Sequence, residues 1–241
     1  MGYENHRARR LTARACYRAR MNAVCISWQL GERQLIALEP TAAELAHHAP
    51  TLAAAYNDPR NAPLLGHTED LDADDVCDHY AELADEGARQ FLLFVDGELA
   101  GDADLRGLVR GAGEADAGAA ADAVDAADAA HAQGGTAEFA FLIGAPAAQG
   151  QGLGTRFALM LHAFGFAPPP LGLALDTIYA SVVPANTASR RVFAKLGYAE
   201  DASAAARAYA DDPGDLVLGL DRTVFTVRHP DSVAAIAVAA R

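Results

Sequence analysis

A strand that runs into a helix through a glycine-rich loop constrains this chain more than any other feature. Phe139, Phe141 and Ile143 alternate with smaller or polar residues, which is the periodicity of a β-strand. Pro146 ends this strand. From Leu153 to Phe164 the large apolar residues recur at helical spacing. The pattern therefore predicts a strand, a tight loop and a helix in direct succession.

Glycines at positions 150, 152 and 154 let the loop backbone turn tightly and approach a ligand closely. A helix start also gathers unpaired N–H groups and the positive end of the helix dipole, so the loop predicts a site for phosphate or pyrophosphate. A Walker loop needs Lys, and a dinucleotide fingerprint needs Gly, where this chain has Thr155. The pattern actually present is Gln-x-x-Gly-x-Gly, formed by Gln149, Gly152 and Gly154.

This pattern resembles motif A of the GCN5-related N-acetyltransferase (GNAT) superfamily, whose loop holds the pyrophosphate of an acyl coenzyme A. A second family motif follows a helix and a strand later, in P-A-N-T-A-S-R-R-V-F-A-K-L-G-Y, with Asn186, Ser189 and the ending Lys195 to Tyr198. Asn-x-x-Ser combined with Lys-Leu-Gly is similar to the RimJ/RimL-like branch. The resemblance covers about residues 33–228, less an insertion.

The predicted elements alternate as in an α/β (α+β) domain. The resemblance implies an acyl-CoA N-acyltransferase fold, with a mostly antiparallel mixed sheet that is splayed at the cofactor cleft and has helices on both faces. We expect an Arg-rich extension at 1–32, the domain at 33–229 with an Ala/Asp/Gly-rich insertion at 111–135, and a tail at 230–241 that packs little. A transit peptide would also be Arg-rich, but residues 1–20 are not Ser-rich.

Composition limits the partners and the compartment. A net charge of −13 argues against nucleic acid as the main partner. The three cysteines share no paired spacing, which favours reduced thiols in a cytoplasmic protein, and the Ala- and Asp-rich composition is typical of bacteria. No apolar run approaches the roughly 20 residues of a membrane span, so no membrane partner is expected.

The resemblance also implies which residues bind acetyl-CoA. In the family, the pantetheine arm lies between the splayed strands and pairs with exposed strand amides, for which Leu142 and Gly144 are the candidates. The candidates in the loop and the second motif are Gln149, Gly150, Gln151, Gly152, Leu153, Gly154, Thr155, Asn186 and Ser189.

In the implied reaction an amine attacks the thioester carbonyl, and a base helps because the amine must first lose a proton. Glu138 is the candidate base, because relatives often carry a catalytic Glu in this strand; the alternative is a salt-bridging Glu. Ser189 is the candidate donor to the leaving thiolate, with a cap or core hydroxyl as the alternative. Relatives that use Tyr for this step carry it where this chain has Phe193. The reaction needs no metal.

The acceptor class stays open at this stage. The branch resemblance favours a protein or peptide N-terminal α-amino group, and a small amine such as an aminoglycoside or polyamine is the alternative. The predicted helix at 72–86 has very acidic faces, which would either attract a cationic amine or be solvated. A catalytically silent CoA-binding module is a third hypothesis, motivated by Phe193 and the uncertain base. A homodimer is expected only by family analogy.

Overall fold

The computed structural model describes residues 23–65, 69–109 and 135–241. Within these residues nine strands form one sheet in the order β7-β8-β6-β5-β4-β3-β2-β1-β9. The strands are β1 (Val24–Leu30), β2 (Arg33–Leu38), β3 (Arg89–Val95), β4 (Glu98–Val109), β5 (Gly135–Ile143), β6 (Leu175–Val182), β7 (Ala199–Glu200), β8 (Leu216–Asp221) and β9 (Ile236–Ala240).

The sheet is antiparallel except between β5 and β6, which are parallel. This parallel pairing involves only residues 135–138 of β5, whereas β4 pairs with β5 as far as Ile143. In the described part of the chain, no strand pairs with the other edge of β5 beyond Glu138. The mixed, splayed sheet predicted from the sequence is therefore confirmed.

Helices cover both faces of the sheet, as predicted. They are α1 (Ala42–Tyr56), α2 (Ala73–Asp85), α3 (Leu153–Phe166), α4 (Thr187–Leu196), α5 (Ala204–Arg207), α6 (Arg222–Arg228) and α7 (Pro230–Ala235). On one face, α1 and α2 pack through Leu52 and Val76 against Leu92 of β3. On the other face, α3 and α4 join the larger apolar core, to which Phe164 and Phe193 belong.

Local sequence explains where the first two helices begin. Thr41 and Glu44 form a capping box at the start of α1, as the sequence Thr-x-x-Glu predicts. At the start of α2, the Asp72 carboxylate accepts hydrogen bonds from the backbone N–H groups of Asp74 and Asp75. Part of the acidity of this helix therefore stabilises its own N-terminus.

The N-terminal and C-terminal limits of the domain differ from the sequence prediction. β1 lies inside the segment 1–32 that was assigned to an extension, and it pairs with β2 and with β9. Its residues Val24, Ile26 and Trp28 alternate into the core, and this periodicity was overlooked. The tail at 230–241 likewise forms α7 and β9, and Arg241 donates to the carbonyl of Glu39 at 2.9 Å. The sheet therefore extends from Val24 to Ala240.

β8 ends at Asp221, and α6 follows it directly. The insertion at 111–135 lies outside the described residues apart from Gly135, which opens β5, and residues 1–22 of the extension also lie outside them. Within the described ranges, none of the helices combines the length and the apolarity that crossing a bilayer requires.

Candidate functional site: a cleft at the splayed strands

The glycine loop leaves the start of α3 open. Gly152 is the N-cap residue of α3, with a left-handed φ of 73°, and no side chain caps the helix. Gly150 also has a φ of 73°, a conformation that residues with a side chain rarely adopt. The first N–H groups of a 14-residue helix therefore end at a loop whose backbone only glycine adopts easily. This arrangement suits an anionic phosphate group.

Side-chain hydrogen bonds fix the shape of this loop. Gln149 donates from Nε2 to the carbonyl of Ile143 at 2.9 Å. Arg33 donates to Oε1 of Gln151 at 2.8 Å, and Arg156 donates to the backbone carbonyl of Gln151, also at 2.8 Å. Gln149 and Gln151 therefore help to hold the loop in place through their side chains.

The three residues that begin α3 face the protein interior to different degrees. Leu153 is buried in the core, so only its backbone is available to a ligand. Gly154 lies against the strand, because a Cβ there would be 3.1 Å from Cε2 of Phe141. The Thr155 hydroxyl is buried and has no hydrogen-bond partner among the described residues.

The predicted pairing of Leu142 and Gly144 with the pantetheine arm is contradicted by the register of β5. The N–H of Gly144 donates to the carbonyl of Ala100 at 2.9 Å. The carbonyl of Leu142 points toward β4, because a Cβ on Gly101 would be 1.8 Å from its oxygen. Backbone groups alternate between the two edges of a strand, so Phe141 and Ile143 face the splayed edge instead.

The second motif begins α4 beside the same opening. Oδ1 of Asn186 accepts a hydrogen bond from the backbone N–H of Ser189 at 3.1 Å and so caps the helix. Ser189 is half-buried and lines the cleft. Phe193 is 3% exposed and packs edge-on against Phe141 and Tyr198. The position that relatives give to Tyr is thus an apolar contact here.

A cleft of about 290 Å³ lies between the splayed strands and the first two helices. Glu138, Asn186 and Ser189 line it together, although they come from different elements. Arg106 is the only Arg or Lys among its described lining residues. Seven carboxylates line it, namely Asp75, Asp102, Asp104, Glu138, Asp211, Asp212 and Asp215.

Glu138, the predicted base, is held in a two-point ion pair. Arg106 donates from Nε and Nη2 to its two carboxylate oxygens, both at 3.0 Å. Burial raises the pKa of Glu138, while the bonds from Arg106 act against that rise. The residue stands in the cleft, but its oxygens are already engaged.

Two further carboxylates on the neighbouring strand were not singled out by sequence reasoning. Asp102 accepts hydrogen bonds from the Tyr56 and Tyr80 hydroxyls, and burial raises its pKa to about 6. Asp104 lies beside Arg106. The distance from Nε of Arg106 to Oδ1 of Asp104 is 3.8 Å, which is too long for a hydrogen bond. Burial raises the pKa of Asp104 to about 7. The sequence signal was the alternation Asp102, Asp104, Arg106 inside a predicted strand.

Comparison with known proteins assigns the family. An acetyltransferase (GNAT) domain model matches residues 38–199. No curated protein matches the chain by sequence. Because the match spans more than half of its length, the chain belongs to the GNAT acetyltransferase family. It is an N-acetyltransferase, and its cofactor is acetyl-CoA.

Solved structures share the fold at low sequence identity. RimJ of Mycobacterium smegmatis in complex with CoA-disulfide matches with a TM-score of 0.59 and 15% identity, over 84% of this chain and 91% of that one. The aminoglycoside acetyltransferase AAC(6')-Ib in complex with coenzyme A matches with a TM-score of 0.55 and 18% identity, over 85% of this chain and 98% of that one. Spermidine N-acetyltransferase of Vibrio cholerae in complex with CoA and spermine matches with a TM-score of 0.55 and 16% identity, over 81% of this chain and 99% of that one.

Proposed function

We propose that this enzyme acetylates a primary amine that carries more than one positive charge, by direct attack on acetyl-CoA in a ternary complex. The observation that carries the proposal is the charge of the cleft, where seven carboxylates face a single arginine. Clefts lined by one sign of charge raise the local concentration of the opposite ion. A small polyamine or aminoglycoside places several ammonium groups in such a space.

The cofactor side of the proposal assigns backbone groups to acetyl-CoA. The open N–H groups at residues 150–154 bind the pyrophosphate. The backbone of Phe141 and the N–H of Ile143, whose carbonyl is bound by Gln149, pair with the amides of the pantetheine arm. Acetyl-CoA supplies the activated acetyl group. Support comes from the left-handed Gly150 and Gly152 and from the unpaired edge of β5 beyond Glu138 in the described part of the chain.

Ser189 is proposed to donate a proton toward the leaving thiolate. Its side chain lines the cleft at the start of α4, close in sequence to the capping Asn186. Oδ1 of Asn186 accepts the capping hydrogen bond, so the N–H groups of its side-chain amide are left to donate to the cofactor arm or to an ordered water. Both roles remain predictions, and they are compatible with a cleft that reaches between β5 and β6.

A peptide N-terminal α-amino group is the second candidate acceptor. The motif from Asn186 to Ser189 with Lys195-Leu196-Gly197 favours it, since this form is similar to the RimJ/RimL-like branch. A peptide terminus brings one obligatory positive charge. The acidity of the cleft is therefore better matched by a polycation, unless the following residues of the peptide are basic.

The first experiment measures acetyl transfer to a mixed panel of amines. The panel holds spermidine, an aminoglycoside and peptides with neutral or basic second residues, and mass spectrometry identifies the products. We expect mono-acetylated polyamine or aminoglycoside to form fastest, and more slowly as salt rises, because screening weakens the attraction. Preferential acetylation of a neutral peptide would overturn the proposed acceptor class. Transfer to none of these amines, with CoA still bound, would favour a silent binding module.

A second experiment tests the loop with matched glycine variants. Gly152→Ala forces a side chain into a left-handed conformation and places a Cβ about 3.0 Å from Nη1 of Arg156. Since the left-handed conformation costs roughly 1–2 kcal/mol, we expect calorimetry to show acetyl-CoA binding about 5–30 times weaker. The control is Gly214→Ala, where a Cβ meets no atom within 4 Å. Equal binding by both variants would remove the loop from the cofactor site.

A further inference from the structure

Three carboxylates lie side by side on the cleft face of β4 and β5. Asp102 and Asp104 are two residues apart on β4, and Glu138 stands on β5 opposite Arg106. Each is largely buried, so each needs a hydrogen-bond partner to offset the loss of water. The three carboxylates differ in how many hydrogen-bond donors they already have.

Two of the three carboxylates already accept side-chain hydrogen bonds. The hydroxyls of Tyr56 and Tyr80 both donate to Oδ2 of Asp102, the second at 2.9 Å. Arg106 donates to both oxygens of Glu138 at 3.0 Å. A substrate would compete with these donors for either carboxylate.

Asp104 differs, because its Oδ1 is buried and has no hydrogen-bond partner among the described residues. The Asp104 side chain is 17% exposed and lines the cleft. Its cross-strand neighbour on β5 is Ala140, whose methyl group leaves room above the strand where pairing with β6 has ended. On the neighbouring strand β3, Gln90 pairs directly opposite Asp104. The side-chain amide nitrogen of Gln90 is also buried without a hydrogen-bond partner among the described residues.

We propose that Asp104 is the proton acceptor for the attacking amine, and that Glu138 serves to position Arg106 beside it. This inference rests on the proposed acetyl transfer. The acceptor ammonium donates an N–H to the part of the Asp104 carboxylate that the cleft exposes and transfers that proton to it. The neutral nitrogen then attacks the thioester carbonyl, so that an N–C bond forms and the C–S bond breaks. The second proton lost by the nitrogen reaches the leaving thiolate through Ser189, whose hydroxyl donates its own proton to the thiolate and takes up the proton from the nitrogen. Asp104 returns the first proton to solvent.

The charges around Asp104 suit this role. Asp102 on its own strand, Glu138 on β5 and Asp211 after α5 raise its proton affinity, and Arg106 lowers it. The Tyr56 and Tyr80 hydroxyls, from α1 and α2, stay protonated because burial raises the pKa of both well above the usual range. Burial dominates at Asp104 and raises its pKa to about 7, close to the pH at which a general base works best.

The test compares Asp104→Asn with Glu138→Gln in acetyl transfer to spermidine or whichever panel amine reacts fastest. A general base contributes about 10²–10⁴-fold, so we expect Asp104→Asn to lower kcat at least about 100-fold while acetyl-CoA binding by calorimetry is unchanged. The wild-type rate should fall below pH 7 with the titration of this carboxylate. That acid limb should vanish from the residual rate of Asp104→Asn and persist in Glu138→Gln.

Further variants separate a folding defect from a chemical one. Asp104→Glu restores a carboxylate and should recover part of the rate, whereas a merely structural residue would tolerate Asn at least as well as Glu. A wild-type enzyme that transfers acetyl groups while Asp104→Asn stays within threefold of it would overturn the assignment and leave the proposed function intact. Loss of activity in Glu138→Gln alone would do the same. A wild type that acetylates no amine would overturn both.

Discussion

The two faces of the central sheet differ in how their buried polar groups are hydrogen-bonded. On the face of α3, large apolar side chains fill the core, and the buried His162 has both ring nitrogens hydrogen-bonded, to the Ala158 carbonyl at 2.6 Å and the Tyr198 hydroxyl at 2.5 Å. On the cleft face of β4 and β5, Asp104 and Glu138 share the single cation of Arg106. The buried histidine on one face has both of its ring nitrogens hydrogen-bonded, whereas the other face leaves a buried carboxylate oxygen without a partner among the described residues.

The difference separates stability from chemistry within one layer of strands. Buried polar groups that are fully bonded rigidify a core, whereas an unbonded buried carboxylate costs free energy. A fold tolerates that cost where a reaction uses the group, and strongly shifted pKa values cluster at such sites. We therefore expect substitutions of apolar side chains on the α3 face to change stability similarly at all pH values, and those on the cleft face to couple stability to pH and activity.

The largest loss of stability should come from the apolar face. Phe164 is fully buried and packs edge-on against Phe91, with 5.5 Å between ring centroids. Phe164→Ala removes these contacts and leaves a cavity, so the free energy of unfolding in urea should fall by about 3–5 kcal/mol. Phe164→Leu should lose less. If the loss from Phe164→Ala varies strongly with pH, the two faces do not differ as described.

A somewhat smaller loss, but one that depends on pH, is expected from Arg106→Met. This change leaves Asp104 and Glu138 without their cation. Removing one partner of a buried ion pair is strongly destabilising, and because Arg106 is 24% exposed we expect a loss of about 2–4 kcal/mol at pH 8. The loss should shrink by pH 5.5, since the pKa of Asp104 is already raised to about 7 and protonation removes the uncompensated charge.

An exposed arginine provides the control for this variant. Arg60 pairs with Asp58 at the surface, where the Arg60 side chain is 60% exposed. Arg60→Met should give no measurable change in stability at either pH. Equal losses from Arg106→Met at pH 8 and pH 5.5 would mean that the lost packing of the arginine stem, not the charge, sets the cost.

His162 should give the apolar face its own, opposite pH dependence. Burial lowers the pKa of His162 to about 3, whereas the unfolded chain takes up this proton near pH 6.5. Between these values the unfolded state binds more protons, so stability is present above pH 6.5 and falls by up to about 1.4 kcal/mol per pH unit below it. In urea unfolding, the wild type should therefore lose stability relative to His162→Gln as the pH falls below about 6.5.

The carboxylates of the cleft act in the opposite direction over an overlapping range. Burial raises the pKa of Asp102 to about 6 and that of Asp104 to about 7, so the folded state takes up their protons before the unfolded chain does as the pH falls from about 7 to 4. Their ionisation cost is fully present above the folded pKa and is relieved as the pH falls toward the unfolded value. Between about pH 4 and 6.5 the carboxylates therefore favour stability at lower pH, and His162 opposes them. A steady rise in stability from about pH 4 to 9 would contradict this balance.

Sequence reasoning reached the parts of the site that local backbone chemistry dictates. Only glycine suits the backbone at positions 150 and 152, and a helix start needs open N–H groups, so the loop could be identified from Gln149 to Gly154 alone. The mixed sheet that is splayed at the cofactor cleft followed from the family resemblance. Each of these features involves residues close together in the chain or a motif with fixed spacing.

The parts that were missed depend on register between distant strands. Which residues of β5 face the open edge is decided by its pairing with β4, so Leu142 and Gly144 were chosen where Phe141 and Ile143 face the opening. The bonding of Glu138 to Arg106 joins residues 32 apart, and β1 and β9 pair across nearly the whole chain. Periodicity alone cannot settle such contacts, although the alternating charges at 102, 104 and 106 marked a polar strand face.

The smallest expected effect tests whether Asn186, at the border between the two faces, is more than a helix cap. Asn186→Ala removes the bond from the Ser189 N–H and should cost about 1 kcal/mol of stability. Ser203→Ala removes a comparable cap, from the Ala206 N–H at 3.2 Å, and supplies the matched control. If Asn186 also contacts the cofactor arm, its variant alone should weaken acetyl-CoA binding in calorimetry. Unchanged affinity in both would restrict Asn186 to the stability of α4, and the cleft would then depend on β4, β5 and the glycine loop alone.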